Sequence, residues 1–329
     1  MSWKKKFSKL LFVIRAISDR FKGAAVPGRR SYLAWLSIIL VLFTLSCGER
    51  RQTGVEPTTP GYVTPRGQEN TFELVTWNLE YFPQTVNTVE EVAKIVEALN
   101  IDLFAIQEIN DTTAFRDLVN RLPDYDGRYS GDIYSWGYLK TGLLYKRSLI
   151  TVSQVRQIFQ DDWYAFTRPP LVADITAQRN GERFDFVLID LHLKAGSNGD
   201  DQARRLEAVE KLKVYLDDQI ASGEEKDYIA AGDWNDELDD PTGSNVFLAF
   251  LQDPADYQFL TASLIGNQQA VSYPRYGSLI DHILISQDAF DEYQAGWTET
   301  LRLDEEVEGY DIKISDHRPV MAVFPVFGK

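Results

Sequence analysis

The chain has 329 residues, 44% apolar and 12% aromatic, enough to bury a sizeable core, and its single cysteine excludes an intrachain disulfide and a cysteine-based metal site. The formal charge of −15 is unevenly spread: residues 1–46 carry nine of the 34 Lys/Arg and one of the 49 acidic residues, which leaves −23 on the remainder. So acidic a body repels polyanions at long range and excludes a non-specific nucleic-acid coat protein, but not an enzyme that touches one phosphate through a metal ion.

The N-terminus reads as an address. Basic residues from Lys4 to Arg30 precede an apolar run, Tyr32–Leu45, which closes at Ser46-Cys47-Gly48. The run is short for a membrane-spanning helix and suits the apolar region of a signal peptide. Cys47 after a small residue resembles a bacterial lipoprotein lipidation site, although Thr44 stands where leucine is usual. An uncleaved signal anchor is the alternative. Both place the body outside the cytoplasm, in the cell envelope, and no disulfide-linked partner is expected. Residues 48–70, rich in Pro, Thr and Gly, read as a flexible tether. Residues 71–329 show no internal linker and read as one large domain.

Within that domain, short apolar runs predict strands at 72–77, 103–106, 143–145, 171–175, 184–191, 228–231, 280–285 and 320–324. Thr88-Val-Glu-Glu91 has the pattern of a capping box and opens a helix with Val92, Ile95, Val96 and Leu99 on one face. A second helix over 201–220 carries Leu206, Val209, Leu212, Leu216 and Ile220. Many strands with a few interspersed helices predict an α/β protein with sheets inside and helices outside.

Polar strings stand at the ends of these strands: Thr76-Trp77-Asn78, Gln107-Glu108, Asp190-Leu191-His192 and Gly232-Asp233-Trp234-Asn235 at their close, Asp281-His282 at the start of one, and Ser315-Asp316-His317 just before another. They include all three histidines of the chain. Strand ends in one sheet gather along one rim, so residues distant in sequence can share a site. In an extended segment Asp233 and Asn235 face the same way, with Trp234 turned away as packing. A carboxylate beside an amide can take a proton from water while a phosphate oxygen is held. Asp281 shares its face with Ile283, whereas His282 points oppositely and reads as structural. His317 pairs naturally with Asp281, and His192 with Glu108. Carboxylates with an amide oxygen suit a hard cation, Mg²⁺ above all, with Mn²⁺ or Ca²⁺ as alternatives. Zinc fits less well, because the histidines lack close ligand spacing. A buried ion pair with Lys or Arg is the competing reading of Glu108.

These strings, in this order over roughly 71–328, resemble the endonuclease/exonuclease/phosphatase superfamily, which includes pancreatic deoxyribonuclease. The resemblance implies a four-layered α/β sandwich, two central mixed β-sheets flanked by helices, and a Mg²⁺-dependent phosphoesterase. By resemblance, Glu108 is the principal metal ligand, with Asn78 and Asp316 beside it. Asp233 and Asn235 resemble the pair that activates and orients water. His317, held by Asp281, resembles the histidine acting on the phosphate, and His192 the second histidine. Arg168, in Arg168-Pro169-Pro170, matches a phosphate-contacting arginine. The inositol-lipid branch is disfavoured, because Ser278-Leu279-Ile280-Asp281-His282 stands where that branch has a Pro-x-Trp-x-Asp-Arg string. A membrane-tethered nuclease acting on DNA or RNA is the leading expectation, and a phospholipid or sphingomyelin phosphodiesterase the second. A binding module on the same fold is a third, disfavoured because no acid or base is missing.

Overall fold

Alternation of side chains along the strands decides how this chain layers. A computed structural model describes residues 62–134, 138–223 and 227–328. The basic leader, the apolar run, Cys47 and most of the expected tether lie outside them. In β1 (Phe72–Phe82), Phe72 and Leu74 face one apolar cluster, whereas Val75, Trp77 and Leu79 face another. The same period of two runs through β2 (Leu103–Ile109), β7 (Glu182–His192), β8 (Tyr228–Asp233), β10 (Asp281–Ser286) and β12 (Val320–Phe324). One cluster lies between two sheets. The others lie under the outer helices, α1 (Thr88–Leu99) and α2 (Thr112–Arg121) on one side, α3 (Gly199–Ser222) on the other. Four layers result.

Each sheet has six strands. With β3 (Tyr125–Tyr129), β4 (Lys140–Lys146), β5 (Ile150–Gln157), β6 (Leu171–Arg179), β9 (Tyr257–Phe259) and β11 (Trp297–Thr300), the orders are β11-β12-β1-β2-β4-β3 and β5-β6-β7-β8-β10-β9. Each sheet holds one parallel pair, β1 with β2 and β7 with β8, and its remaining pairs are antiparallel. The parallel pairs are bridged by α1 and α3, so β1, β2, β7 and β8 all finish at one end of the sandwich. Antiparallel β10 starts at that end, since Asp281 pairs with Asp233. Crevices outside the carboxyl ends of parallel strands are the usual place for a ligand in α/β sheets.

Three sequence expectations change. Thr88 does not cap α1: it lies inside the helix behind Asn87, and its hydroxyl instead accepts from Thr85 N and donates to the Lys313 carbonyl. Leu206 is 39% exposed rather than on the buried face of α3. Arg205 takes that stripe, paired with Asp236 at 2.8 Å. Residues 62–70, the last part of the expected tether, pack on the domain: Val63 is buried, and the Arg66 and Gly67 amides donate to the Leu99 carbonyl. A single apolar residue has no periodicity to announce that docking.

Candidate active site

Parity on the strands places most of the polar residues before any chemistry is invoked. Asn78 continues the inter-sheet face of Phe72, Leu74 and Thr76; His192 continues that of Phe186 and Leu188; Asp233 that of Ile229 and Ala231. Asp281 shares the face of Ile283 and Ile285. His282 has the opposite parity and lies edge-on against Phe247 and Phe259. Its Nε2 meets the Asp236 carbonyl and its Nδ1 the Thr261 hydroxyl, both at 3.0 Å, and burial pushes it down to about 4. It is a structural histidine, as its face predicts.

Glu108 departs from parity. Strict alternation groups it with Phe104 and Ile106, toward the helices. The β2–β4 pairing slips between Ile106 and Ile109, and the β1–β2 pairing between Asn78 and Phe82. Within these bulges Glu80, Tyr81 and Glu108 have φ of 40°, 48° and 64°, left-handed backbone that non-glycine residues adopt at a cost of about 1–3 kcal/mol each. The bulge re-aims Glu108. Its Oε2 accepts from Tyr81 N at 2.9 Å and its Oε1 from Asn78 Nδ2 at 3.3 Å.

Asp233 is the hub. Its Oδ2 accepts from Asn78 Nδ2 at 2.9 Å and lies 3.4 Å from His192 Nε2 and 3.9 Å from His317 Nε2. Burial, with Asp281 and Glu108 nearby, raises its carboxyl to about 7 against the opposing pull of His317 and Asn78. The chain leaves extended geometry after Asp233: Asn235 adopts φ 56°, its amide N donating to Asp233 Oδ1 at 3.0 Å and its Nδ2 to the Leu193 carbonyl at 3.3 Å. The two side chains therefore meet through a local turn, not by sharing a strand face. Trp234 is fully buried among Phe247, Phe250 and Phe259, turned away as expected.

His317 Nδ1 is 2.8 Å from Asp281 Oδ2. Burial would lower this imidazole, but Asp281, Asp233 and Asp316 outweigh it and push it up to about 10. His192 is the converse: burial, then the charges of Arg168 and His317, hold it well below its ordinary value, so it is neutral. Its Nε2 lies 3.7 Å from Glu108 Oε1. Arg168 flanks the site, with Nη1 donating to the carbonyls of Leu193 (3.0 Å) and His192 (3.4 Å).

Several supporting residues carried no assignment from sequence. Ser315 Oγ donates to the Asn78 carbonyl at 2.6 Å and accepts from His317 N, while Tyr310 donates to the His317 carbonyl at 2.7 Å. Ser272 Oγ accepts from the amides of Ile280 and Asp281. Tyr273 stacks on the His317 ring at 4.7 Å. Glu80 Oε2 accepts from Asp316 N at 2.9 Å, and burial, Asp316 and Glu108 raise its carboxyl. Ser315 stood inside a polar string and Glu80 two residues beyond one; Tyr273 and Tyr310 had no local signal.

The donor set fits a hard divalent cation. Glu80, Glu108 and Asp316 bring carboxylates close enough for Asp316 and Glu108 to raise Glu80, and the Asn78 side-chain oxygen accepts from Glu80 N at 2.9 Å. Among the described residues no Lys or Arg nitrogen lies within 4.0 Å of the Glu108 or Asp316 carboxylate. The competing ion pair for Glu108 is thus not formed. A second cluster, Asp233, Asp281 and His317, has its ligand atoms within 4.8 Å of one another. There Asp281 is already committed to His317, so the trio reads as proton-handling groups.

This geometry meets independent likeness. Residues 75–317 match the model of the Endonuclease/Exonuclease/phosphatase family. No curated protein matches. Among solved structures, the human Nocturnin catalytic domain is similar at 17% identity and TM-score 0.56, over 81% of this chain and 98% of that one. TDP2 of D. rerio, solved with a single-strand DNA product, is similar at 15% identity and TM-score 0.55, over 77% and 98%. A mannosyl-6-phosphatase of Bacteroides thetaiotaomicron is similar at 15% and 0.53, over 76% and 98%. At such identities these structures speak to the fold, which is the two-sheet sandwich described above. The family match spans the polar strings from Asn78 to His317, and the chain belongs to the endonuclease/exonuclease/phosphatase family of phosphoric-ester hydrolases.

Proposed function

We propose that the protein is a divalent-metal-dependent phosphodiesterase acting on nucleic acid outside the cytoplasm, held to a membrane through its N-terminal segment. The observation that carries the reading is the meeting of Asn78, His192, Asn235 and the His317–Asp281 pair on one carboxylate, Asp233. Glu108, Asn78 and Asp316 are the residues that would hold the cation, which supplies charge neutralisation at the phosphate oxygens when bound. Asp233, raised to about 7, takes a proton from the attacking water near neutral pH, and Asn235 orients that water. His192 is neutral and donates a hydrogen bond to the phosphate without adding charge. His317, kept protonated by Asp281, gives its proton to the leaving oxygen, and Arg168 contacts the phosphate. The similarity to TDP2 with single-strand DNA supports a nucleic-acid substrate. The −23 of the chain beyond residue 46 favours a second reading, a phospholipid or sphingomyelin phosphodiesterase at the membrane surface.

The test is a hydrolysis panel with the full chain, Mg²⁺ or Mn²⁺, single-stranded DNA, RNA, phosphatidylcholine vesicles and sphingomyelin vesicles. Cleavage of DNA or RNA supports the first reading. Choline-phosphate release with intact nucleic acid selects the second. A panel in which every substrate survives at every metal concentration rejects both.

A further inference from the structure

Directly beneath the site, the space between the sheets is polar where the rest of that layer is apolar. Thr76 on β1, Gln107 on β2 and Asp190 on β7 are each fully buried. Gln107 Nε2 donates to Asp190 Oδ1 at 2.7 Å, and Gly142 N of β4 donates to Asp190 Oδ2 at 3.0 Å. Thr76 Oγ1 donates to Gln107 Oε1 at 3.3 Å. Asp190 and Gln107 thus join one sheet to the other by a side-chain hydrogen bond. Burial drives the Asp190 carboxyl well above its ordinary range, so this placement carries a desolvation penalty that an apolar pair would not.

An apolar pair would also hold the layers together but would not fix their relative position, since dispersion contacts lack direction. Position matters here. Gln107 is the residue before Glu108, which sits in a bulge where regular pairing has been lost. Asp190 is two residues before His192, on the same face of β7. The bond therefore spans the sheets one step below the groups that each contributes, and above it His192 Nε2 and Glu108 Oε1 stand 3.7 Å apart. From this juxtaposition we propose that the Gln107–Asp190 hydrogen bond is an inter-sheet clamp that positions Glu108 against His192 and Asp233. Gln107 and Asp190 are then positioning residues for phosphoester hydrolysis. The proposal rests on the metal-dependent hydrolase reading above.

The test inverts the polarity of the bond. Asp190→Asn alone keeps a bond between the sheets once the Gln107 amide turns over, Oε1 accepting from the new NH₂ and Nε2 donating to the Thr76 hydroxyl, so it is the control in which the clamp survives. Gln107→Glu alone opposes two carboxyl groups. The double variant Gln107→Glu/Asp190→Asn restores the bond between the two side chains with its direction reversed. Its new amide at position 190 donates toward β2 and accepts from Gly142 N, and its new carboxylate at position 107 still accepts from Thr76. One buried carboxyl group remains, as before. Expected for Gln107→Glu is a fall of about 10- to 100-fold in kcat and in Mn²⁺ affinity of the substrate-free protein, read by calorimetry, with KM little changed, while Asp190→Asn stays within a few-fold of the parent in both. The double variant recovers both to within a few-fold of the parent.

A folded Gln107→Glu protein with parental kcat and Mn²⁺ affinity overturns the clamp, as does a folded double variant no better than Gln107→Glu. Should Gln107→Glu fail to fold, the double variant alone decides by the same readouts. Thr76→Val, a shape-conserving change that frees the far end of Gln107, remains a probe if all three fail. It lowers kcat and Mn²⁺ affinity together if the clamp positions Glu108, and leaves both unchanged if it does not. A parent protein that binds no Mn²⁺ and cleaves nothing rejects the hydrolase reading instead.

Discussion

Asp281 opens β10 in one sheet and His317 precedes β12 in the other, and their 2.8 Å contact is the hydrogen bond that defines the protonation state of the imidazole. The carboxylate holds Nδ1, leaving Nε2 directed toward Asp233 and Asp316. Asp281→Asn keeps the shape and removes the charge. We expect kcat to fall by about 10²–10⁴-fold. The basic limb of the pH–rate profile should also move to lower pH, because the influence that pushes His317 up to about 10 is largely that of Asp281. Steady-state rates between pH 6 and 10.5 decide it; an unmoved limb contradicts the assignment of His317 as the acid.

Glu108 is expected to set the metal requirement. Glu108→Gln retains the acceptor for Tyr81 N but removes the charge, so the Mg²⁺ concentration for half-maximal rate should rise by about tenfold or more. Chelation of the parent protein should abolish turnover, and added Mg²⁺ should restore it. A titration in which parent and variant coincide would assign the cation to other ligands.

Tyr310 lies under His317, accepting from Trp77 Nε1 at 2.9 Å and donating to the His317 carbonyl at 2.7 Å. Tyr310→Phe leaves a buried indole N–H and a carbonyl without that partner. The expected loss is about 1–3 kcal/mol of stability in urea unfolding. A midpoint equal to that of the parent would show that water or repacking replaces the hydroxyl.

Strand burial explains what the sequence discloses. The eight runs read as strands correspond to β1, β2, β4, β6, β7, β8, β10 and β12, the interior strands of both sheets. The four unread ones, β3, β5, β9 and β11, are the four edges. Edge strands such as Ile150–Gln157 are mostly solvent-facing, so no apolar run marks them. Helix α2 escaped for a similar reason: it buries only Phe115 and Leu118 behind the Asp111 cap. The site was legible wherever parity held, as for Asn78, His192, Asp233 and Asp281. Glu108 and Asn235 reach it through left-handed backbone, which alternation does not encode. Tyr273 arrives from the loop before β10 and Tyr310 from a short helix, Tyr310–Lys313, before β12, and only the tertiary fold shows them.

Away from the site, Glu73 gives a pH signature. Burial, then the neighbouring Asp102, raises its carboxyl to about 8, although Thr71 and Gln68 N hydrogen-bond to it. A carboxyl raised on folding contributes stability below its unfolded value of about 4.5, and that contribution is lost as pH rises through 8. Glu73→Gln removes this dependence. Parent and variant should therefore diverge between pH 4.5 and 8 in favour of Gln, by on the order of a few kcal/mol. Parallel urea midpoints across that interval would contradict it.

The most direct measurement concerns Asp233, where every line of the site meets. Hydrolysis of bis-p-nitrophenyl phosphate by the full chain should be Mg²⁺-dependent and should fall by at least about 10³-fold in Asp233→Asn, with the unfolding midpoint preserved. The acidic limb of the parent should lie near or below pH 7 and move lower as Mg²⁺ is raised, since a cation favours the carboxylate. A folded Asp233→Asn protein that turns over at the parental rate would contradict the account at its centre.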